Sequence, residues 1–323
     1  MHKRNLLLVM SCLLACWIPS VHAQQGYPLR PIRIVVPYLP GGSVDFVARI
    51  FSGKLSEAWG QQVIVDNRSG GGTNIGAELV ARAAPDGYTL FMASAASSVN
   101  MTLFSNLSYD ILRDFIPVSL LTTSPNILVL HPSLPVKSVS ELVSLAKARP
   151  GELTYASAGI GSSTHLAGEL FKHMAKINLV HVPYRGGGGV LIDLLAGRVA
   201  IYFSTIPTVL PHVEAGKLRG IAVTSAVRSK LMPNLPTVAQ AGVPGYETQA
   251  WNGLMAPAGT SPEIIRRLNE QAVRILGLRD VDEQITARGA EVVGSSPGKF
   301  TEFLKQDIER YAPVIRSSGM KPE

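Results

Sequence analysis

Residues suited to chemistry gather at glycine-rich junctions, each placed where an apolar run gives way to a helical pattern. In "VVPYLPGGSVDFVARIF" (Val35–Phe51), Gly41 and Gly42 allow close approach of the backbone and Ser43 opens a helix. The free amides of such a helix start suit an anionic group, although a tight strand-to-helix turn also needs glycine for geometry alone. "NRSGGGTNIG" (Asn67–Gly76) repeats the arrangement. It misses the dinucleotide fingerprint G-x-G-x-x-G because Gly76 falls one residue too far, and it follows the second strand. "YASAGIGSSTHLAGELF" (Tyr155–Phe171) crowds Ser157, Gly161, Ser162, Ser163 and His165 into one turn. A hydrolase would use Ser162 or Ser163 with His165 as base. G-x-S-x-G is absent, however, and a histidine two or three residues along a helix start does not reach that serine. A nest of amides and hydroxyls is the better reading. "PYRGGGGV" (Pro183–Val190) lacks the G-K-[ST] ending of a phosphate loop, and Arg185 within it is either an anion partner or a solvated side chain. "YFSTIP" places Ser204 and Thr205 at one more strand end.

Several chemistries are disfavoured. No H-x-x-x-H or H-E-x-x-H pair occurs among the histidines, so no metal site is expected. Asp45, Asp66, Asp86 and Glu78 form no obvious acid–base pair, and no cofactor is expected. The net charge is +7, or +5 once Lys3 and Arg4 leave with a leader that holds no Asp or Glu. No basic run reaches five residues, which argues against nucleic acid.

These junctions need strands and helices to position them. Ile32–Pro37, Gln62–Asp66 and Thr89–Ala93 read as strands, with helices at Val44–Trp59 and Asn74–Arg82. That βαβαβ order predicts a parallel, doubly wound sheet with its turns along one edge. Pro117–His131 contains two β-rich runs split at Ser124-Pro125-Asn126 and reads as a crossing into a second α/β unit. That unit holds helices at Val139–Ala148, Ser163–Met174, Gly189–Leu195 and Val209–Ala215. Its strands are expected at Leu153–Ser157, Leu179–Val182, Val199–Phe203 and Arg219–Thr224. A proline-rich stretch (Pro233, Pro236, Pro244) and an extended Trp251–Ala256 follow. The tail helices, Glu263–Leu276 and Pro297–Ser317, must return to the first sheet. The predicted division is therefore 24–125 with 248–323, and 126–247, with a cleft between two lobes closing about a two-strand hinge.

Residues 1–23 read as a secretory leader. His2, Lys3 and Arg4 precede an apolar stretch, Leu6–Ile18, too short to span a bilayer, and cleavage is expected after Ala23. Both cysteines, Cys12 and Cys16, lie inside it. Leu13-Leu14-Ala15-Cys16 approaches a lipoprotein box, so anchoring at Cys16 is the minor alternative to a soluble, exported chain.

The motifs together resemble the Bug family of periplasmic solute-binding proteins, the receptors of tripartite tricarboxylate transporters. The likeness rests on the order and spacing of "IVVPYLPGGSVDFVAR", "VIVDNRSGGGTNIGAELVARAAPDGYTL", "YASAGIGSSTHLAGELF", "HVPYRGGGGVLIDLLAGRV", "LPTVAQAGVPGYE" and "WNGLMAPAGTSPEII". The resemblance implies a flytrap of the periplasmic-binding-protein type II class, closing as a monomer on a small carboxylate and docking on membrane transporter subunits. It implies a ligand site drawn from Tyr38, Gly41, Gly42, Ser43, Asp45, Ser94 and Ser97 in the first lobe. The second lobe would add Ser157, Gly161, Ser162, Ser163, His165, Tyr184, Gly186 and Ser204. The chain departs from the family at "GRVAIYFS", where many members read "GQVDLMFD". Ala200 and Ser204 replace acidic positions, which tilts the expected ligand away from amino acids. Tyr38 and Leu39 narrow the entrance. Rival readings are a sensor partner that presents ligand to a signalling protein, and an exported serine hydrolase.

Overall fold

The computed structural model describes residues 26–184 and 187–321; the expected leader with Cys16, and Arg185 and Gly186, lie outside the described residues. Three strands open the fold: β1 (Ile32–Val36), β2 (Val63–Asn67) and β3 (Thr89–Ser94). β1 pairs in parallel with both neighbours, Ile34 lying opposite Val65 and Leu90. Its near-continuous apolar sequence fits a strand covered on both faces. Helix α1 (Ser43–Trp59) buries Val44, Val47, Ala48, Phe51 and Leu55, the stripe expected from the sequence, and ends at Gly60 in the left-handed region. A short 3₁₀ turn (Gly71–Thr73) leads into α2 (Asn74–Ala81), and α3 (Ala95–Leu103) starts directly from β3.

β4 (Phe115–Leu130) is one unbroken strand of 16 residues, not two runs. Its first part pairs antiparallel with β9 (Gln249–Pro257), ending at Pro125 opposite Gln249. From Asn126 it pairs antiparallel with β7 (Ile201–Thr205), and from Ile127 also with β8 (Arg219–Val223). Pro125 therefore sits where one ladder hands over to the next, a place where its missing N–H is tolerated. Beyond β7 lie β5 (Thr154–Ser157) and β6 (Val180–Pro183), both parallel to their neighbours. The strand order is β2-β1-β3-β9-β4-β7-β5-β6, with β8 and the short β10 (Glu291–Val292) joined to β4. The sheet is thus mixed: the parallel arrangement expected from strand–helix alternation holds at the two wings, while the middle is antiparallel.

The second wing carries α4 (Val139–Ala148), α5 (Ser163–Ala175), α6 (Gly187–Leu195) and α7 (Ile206–Glu214). α7 starts earlier than its apolar spacing suggested because Pro207 fits the first helical turn. α5 lies close on β5. A Cβ built at Gly168 would sit 2.1 Å from the Tyr155 ring, so this position admits no side chain. The tail forms α8 (Pro262–Leu276), α9 (Arg279–Thr286) and α10 (Pro297–Ser318). α9, not foreseen, pins Val281 and Ile285 into the first-wing core beside α8. α10 does not belong to the first wing alone. Phe300, Leu304, Tyr311 and Ile315 pack with Trp251 and Val99, whereas Val314 joins Phe171 and Tyr246 in the second-wing core. Among the described residues no helix is long and apolar enough to cross a membrane.

Candidate functional site

The carboxyl ends of β1 and β3 in one wing, and of β5 and β7 in the other, carry the turns singled out in the sequence. At the end of β1, Gly41 adopts φ +93°, which a side chain would strain. Gly42 then caps α1 in an extended conformation without any side chain to offer. The first helical bond runs from the Phe46 amide to the Gly42 carbonyl. The amides of Ser43, Val44 and Asp45 consequently have no hydrogen-bond partner among the described residues, and Gly41, Gly42 and Ser43 are exposed. This is the unsatisfied end of a 17-residue helix, with partial positive charge facing outward.

The turn is held from behind. Asp45, 2 % exposed, accepts from the Gly41 amide (2.9 Å), Arg49 Nε (2.8 Å) and Asn67 Nδ2 (2.9 Å). Asn67, the last residue of β2, also donates to the Tyr38 carbonyl (3.0 Å). Burial pushes the Asp45 carboxyl up, but the bonds from Arg49, Gly41 and Asn67 outweigh it and hold the group below its ordinary range. Asp45 and the Gly41 amide, expected to meet a ligand, are thus occupied with each other. Tyr38 and Ser94 share a 2.7 Å hydrogen bond between their hydroxyls. Ser94 and Ser97 form a capping box at the start of α3, which takes up one of the free amides of that helix end.

The second-wing turn is also tied inward. Ser162 caps α5 by accepting from the His165 amide (3.2 Å), and its hydroxyl donates to the Gly159 carbonyl (2.6 Å). The Gly161 amide donates to His165 Nδ1 (3.1 Å). The His165 ring stacks on His181 at 3.9 Å, and His181 stacks on Tyr155 at 5.0 Å. His181 Nε2 meets Ser157 Oγ at 2.7 Å. This is a serine–histidine pair, but Ser157 is fully buried, and no carboxylate is hydrogen-bonded to His181 among the described residues. It therefore lacks the third member and the access of a nucleophilic triad. Neither Ser162 nor Ser163 bonds to His165 through its ring. Burial, then the His181 ring and Lys172, push His165 down to about 3; burial likewise lowers His181. Both rings are therefore held in the neutral form near pH 7. Glu169 completes the cluster, accepting from Tyr155 (2.5 Å) and Lys172 (2.7 Å).

The other candidates are distributed as follows. Tyr184 is half-buried and gives its hydroxyl to Asp193 (2.7 Å). Ser204 is fully buried, donating to the Thr205 carbonyl (3.1 Å). Ser162 and Ser163 are half-buried at the turn. Gly186 lies outside the described residues. Sequence reasoning did not find Asn67, Arg49 or His181 as parts of these turns. Asn67 and His181 stood inside quoted motifs, but their roles depend on partners more than twenty positions away. No group of three or more His, Cys, Asp or Glu side chains is placed to hold a metal among the described residues.

Comparison with known proteins identifies the family and the fold. Residues 47–320 match the family described as "Tripartite tricarboxylate transporter family receptor". The chain is 38% identical over 324 residues to protein BugT of Bordetella pertussis (strain Tohama I), covering 99% of each. Among solved structures it is similar to R. palustris Rpa4515 with adipate, at 39% identity and a TM-score of 0.77, covering 92% of this chain and 100% of that one. It is also similar to MatC from Rhodopseudomonas palustris with bound malate, at 32% identity and a TM-score of 0.74, covering 90% and 100%. The α/β fold is that of periplasmic solute-binding proteins, and the chain belongs to the Bug family of tripartite tricarboxylate transporter receptors.

Proposed function

We propose that this receptor captures a small carboxylated solute and delivers it to the membrane subunits of a tripartite tricarboxylate transporter. The observation that carries the reading is the glycine-capped start of α1, whose amides at Ser43, Val44 and Asp45 have no partner among the described residues at the mouth of a parallel strand. Such a terminus favours a carboxylate. The adipate and malate named with the two related structures are consistent with that choice. Gly42 and Ser43 are the first-lobe contacts in this proposal, with Ser162 and Ser163 opposite. Asp45, Asn67 and His165 act as positioning groups that keep the two turns in shape. Closure does no covalent chemistry.

The proposed lobes are 24–125 with 248–323, and 126–247, supported by the change of ladder between Pro125 and Asn126. The proposed location is the periplasm, after leader cleavage at Ala23, as a monomer. Presentation of the ligand to a membrane sensor would use the same surfaces, and uptake by a deletion strain separates the two outcomes.

A thermal-shift screen of mono-, di- and tricarboxylates, amino acids and neutral amides tests the reading. A ligand at a hundredfold excess over its Kd stabilises by about 2.7 kcal/mol. A shift with one acid class, clearly reduced in Gly42→Asp, supports the proposal; no shift with any acid sinks it.

A further inference from the structure

Helix α10 runs across both wings, and its partners change along its length. Phe300 and Leu304 pack with Trp251 and Val99 of the first wing, and Trp251 Nε1 donates to the buried Asp307 carboxylate (3.0 Å). One turn later the partners lie on the segment that leads out of the second wing. Arg310 pairs with Glu247 (3.3 Å), and the Tyr311 hydroxyl bonds to that of Thr248. The Thr248 amide in turn donates to the Thr224 carbonyl just past β8 (3.0 Å). Beyond that, Val314 enters the second-wing core with Phe171 and Tyr246, and Ser317 Oγ lies 3.3 Å from His173 Nδ1 on the last turn of α5. Tyr311 and Ile315 keep a hold on the first-wing core within the same stretch. The end of α10 is therefore bonded to both wings at once.

A straight helix fastened at both ends opposes relative motion of the parts it joins. The exposed turn at Gly41–Ser43 leaves a closing motion still to be made before a solute there is enclosed. α10 has a built-in weak point for it. Pro313 stands inside the helix, between the residues bonded to Glu247 and Thr248 and those bonded to α5. Proline offers no N–H to the carbonyl four residues back, here that of Glu309, and its ring crowds that oxygen. Interior prolines are among the few places where helices bend sharply.

We infer that residues 314–318 are a strap that travels with the second wing, and that Pro313 is the flexing point that lets the wings close while the strap stays attached. Pro313 thereby sets affinity from outside the ligand site, as a positioning residue. The inference rests on the two-lobed carboxylate-receptor reading above and adds to it a conformational control. A stiffer helix lowers the fraction of molecules able to close, and the apparent affinity falls by that fraction.

The test crosses two changes. Pro313→Ala restores the missing helix bond, so the melting temperature should rise. Ser317→Cys with His173→Cys, joined by oxidation or by a short bis-maleimide, fastens the strap to α5. Cys12 and Cys16 are the chain's own cysteines, and both leave with the leader. Calorimetric titration then uses the acid that shifts the melting temperature of wild type. With Pro313 in place, the fastened protein should bind within about twofold of the same protein before linking. With Pro313→Ala, fastening should weaken binding at least about tenfold although the protein is more heat-stable. A merely structural proline would raise stability without moving the affinity. A fastened Pro313→Ala protein that binds like the fastened Pro313 protein, or a loss on fastening with Pro313 in place, overturns the inference and leaves a carboxylate receptor standing. Failure of every acid to bind wild type overturns the carboxylate reading itself, and this inference with it.

Discussion

Acidification from pH 7 to pH 5 should destabilise this protein through His165, whose ring is 3 % exposed and stacked on His181. Its folded pKa of about 3 lies below the ordinary imidazole value, so the unfolded chain binds the extra proton between the two. Stability from this group is therefore complete above about pH 6.5 and is lost as pH falls toward 3. At pH 5 the unfolded imidazole is almost fully protonated and the folded one almost not at all. The difference, about one and a half pH units at about 1.36 kcal/mol each, is about 2 kcal/mol. The groups facing the ring do not rescue it. Glu169 lies 3.9 Å from Nε2, but it is already bonded to Tyr155 and Lys172, and Lys172 opposes the charge. His181 works in the same direction. The comparison is wild type against His165→Asn, whose Oδ1 can still accept from the Gly161 amide but does not titrate. Urea midpoints at the two pH values give the free energies, provided the slopes match. Wild type should lose about 2 kcal/mol more than the variant between pH 7 and pH 5. Equal losses would refute a neutral, buried His165.

Three further outcomes follow from the geometry. Gly42→Asp supplies the missing cap: the Gly42 backbone is extended and its Cβ would meet nothing within 4 Å, so stability should rise by a few tenths of a kcal/mol. The new carboxylate occupies the amides proposed to hold the ligand, and titration with the ligand identified by thermal shift should show at least about tenfold weaker binding. Asp45→Ala leaves the Gly41 amide, Arg49 and Asn67 without their common acceptor, which should cost about 1–3 kcal/mol in denaturant unfolding and weaken ligand binding as well. Gly168→Ala forces a methyl group into the Tyr155 ring and should cost about 1–3 kcal/mol or more, read as a lower melting temperature.

Local pattern made the wings legible. The α1 stripe and the three parallel strands each repeat a short-range period, and the glycine turns between them announce themselves in sequence. The centre did not. β4 looked broken because Pro125 is a strand breaker by type, and only its place at the change of partners makes it harmless. The double allegiance of α10 depends on Val314 and Tyr311 meeting different cores, which helical spacing does not distinguish. At the site, residue type located the turns but not how their groups are used. The resemblance marks Asp45 and His165 as ligand contacts; each also bonds to a glycine amide of its own turn, a role that residue type does not announce.

The position of β9 bears on how the chain acquires its fold. This strand lies between β3 and β4, and the Asn252 side chain bonds to Thr122 across 130 residues of sequence. Until β9 is available, β3 and the first part of β4 have open edges and the first wing lacks its central pairing. A nascent chain cannot complete that wing from its N-terminal half, and closing so long a loop makes folding slow. For a chain proposed to cross a membrane before folding, this late insertion keeps the polypeptide threadable. The accompanying hazard is a lingering pair of apolar strand edges, so refolding yield should fall steeply with protein concentration.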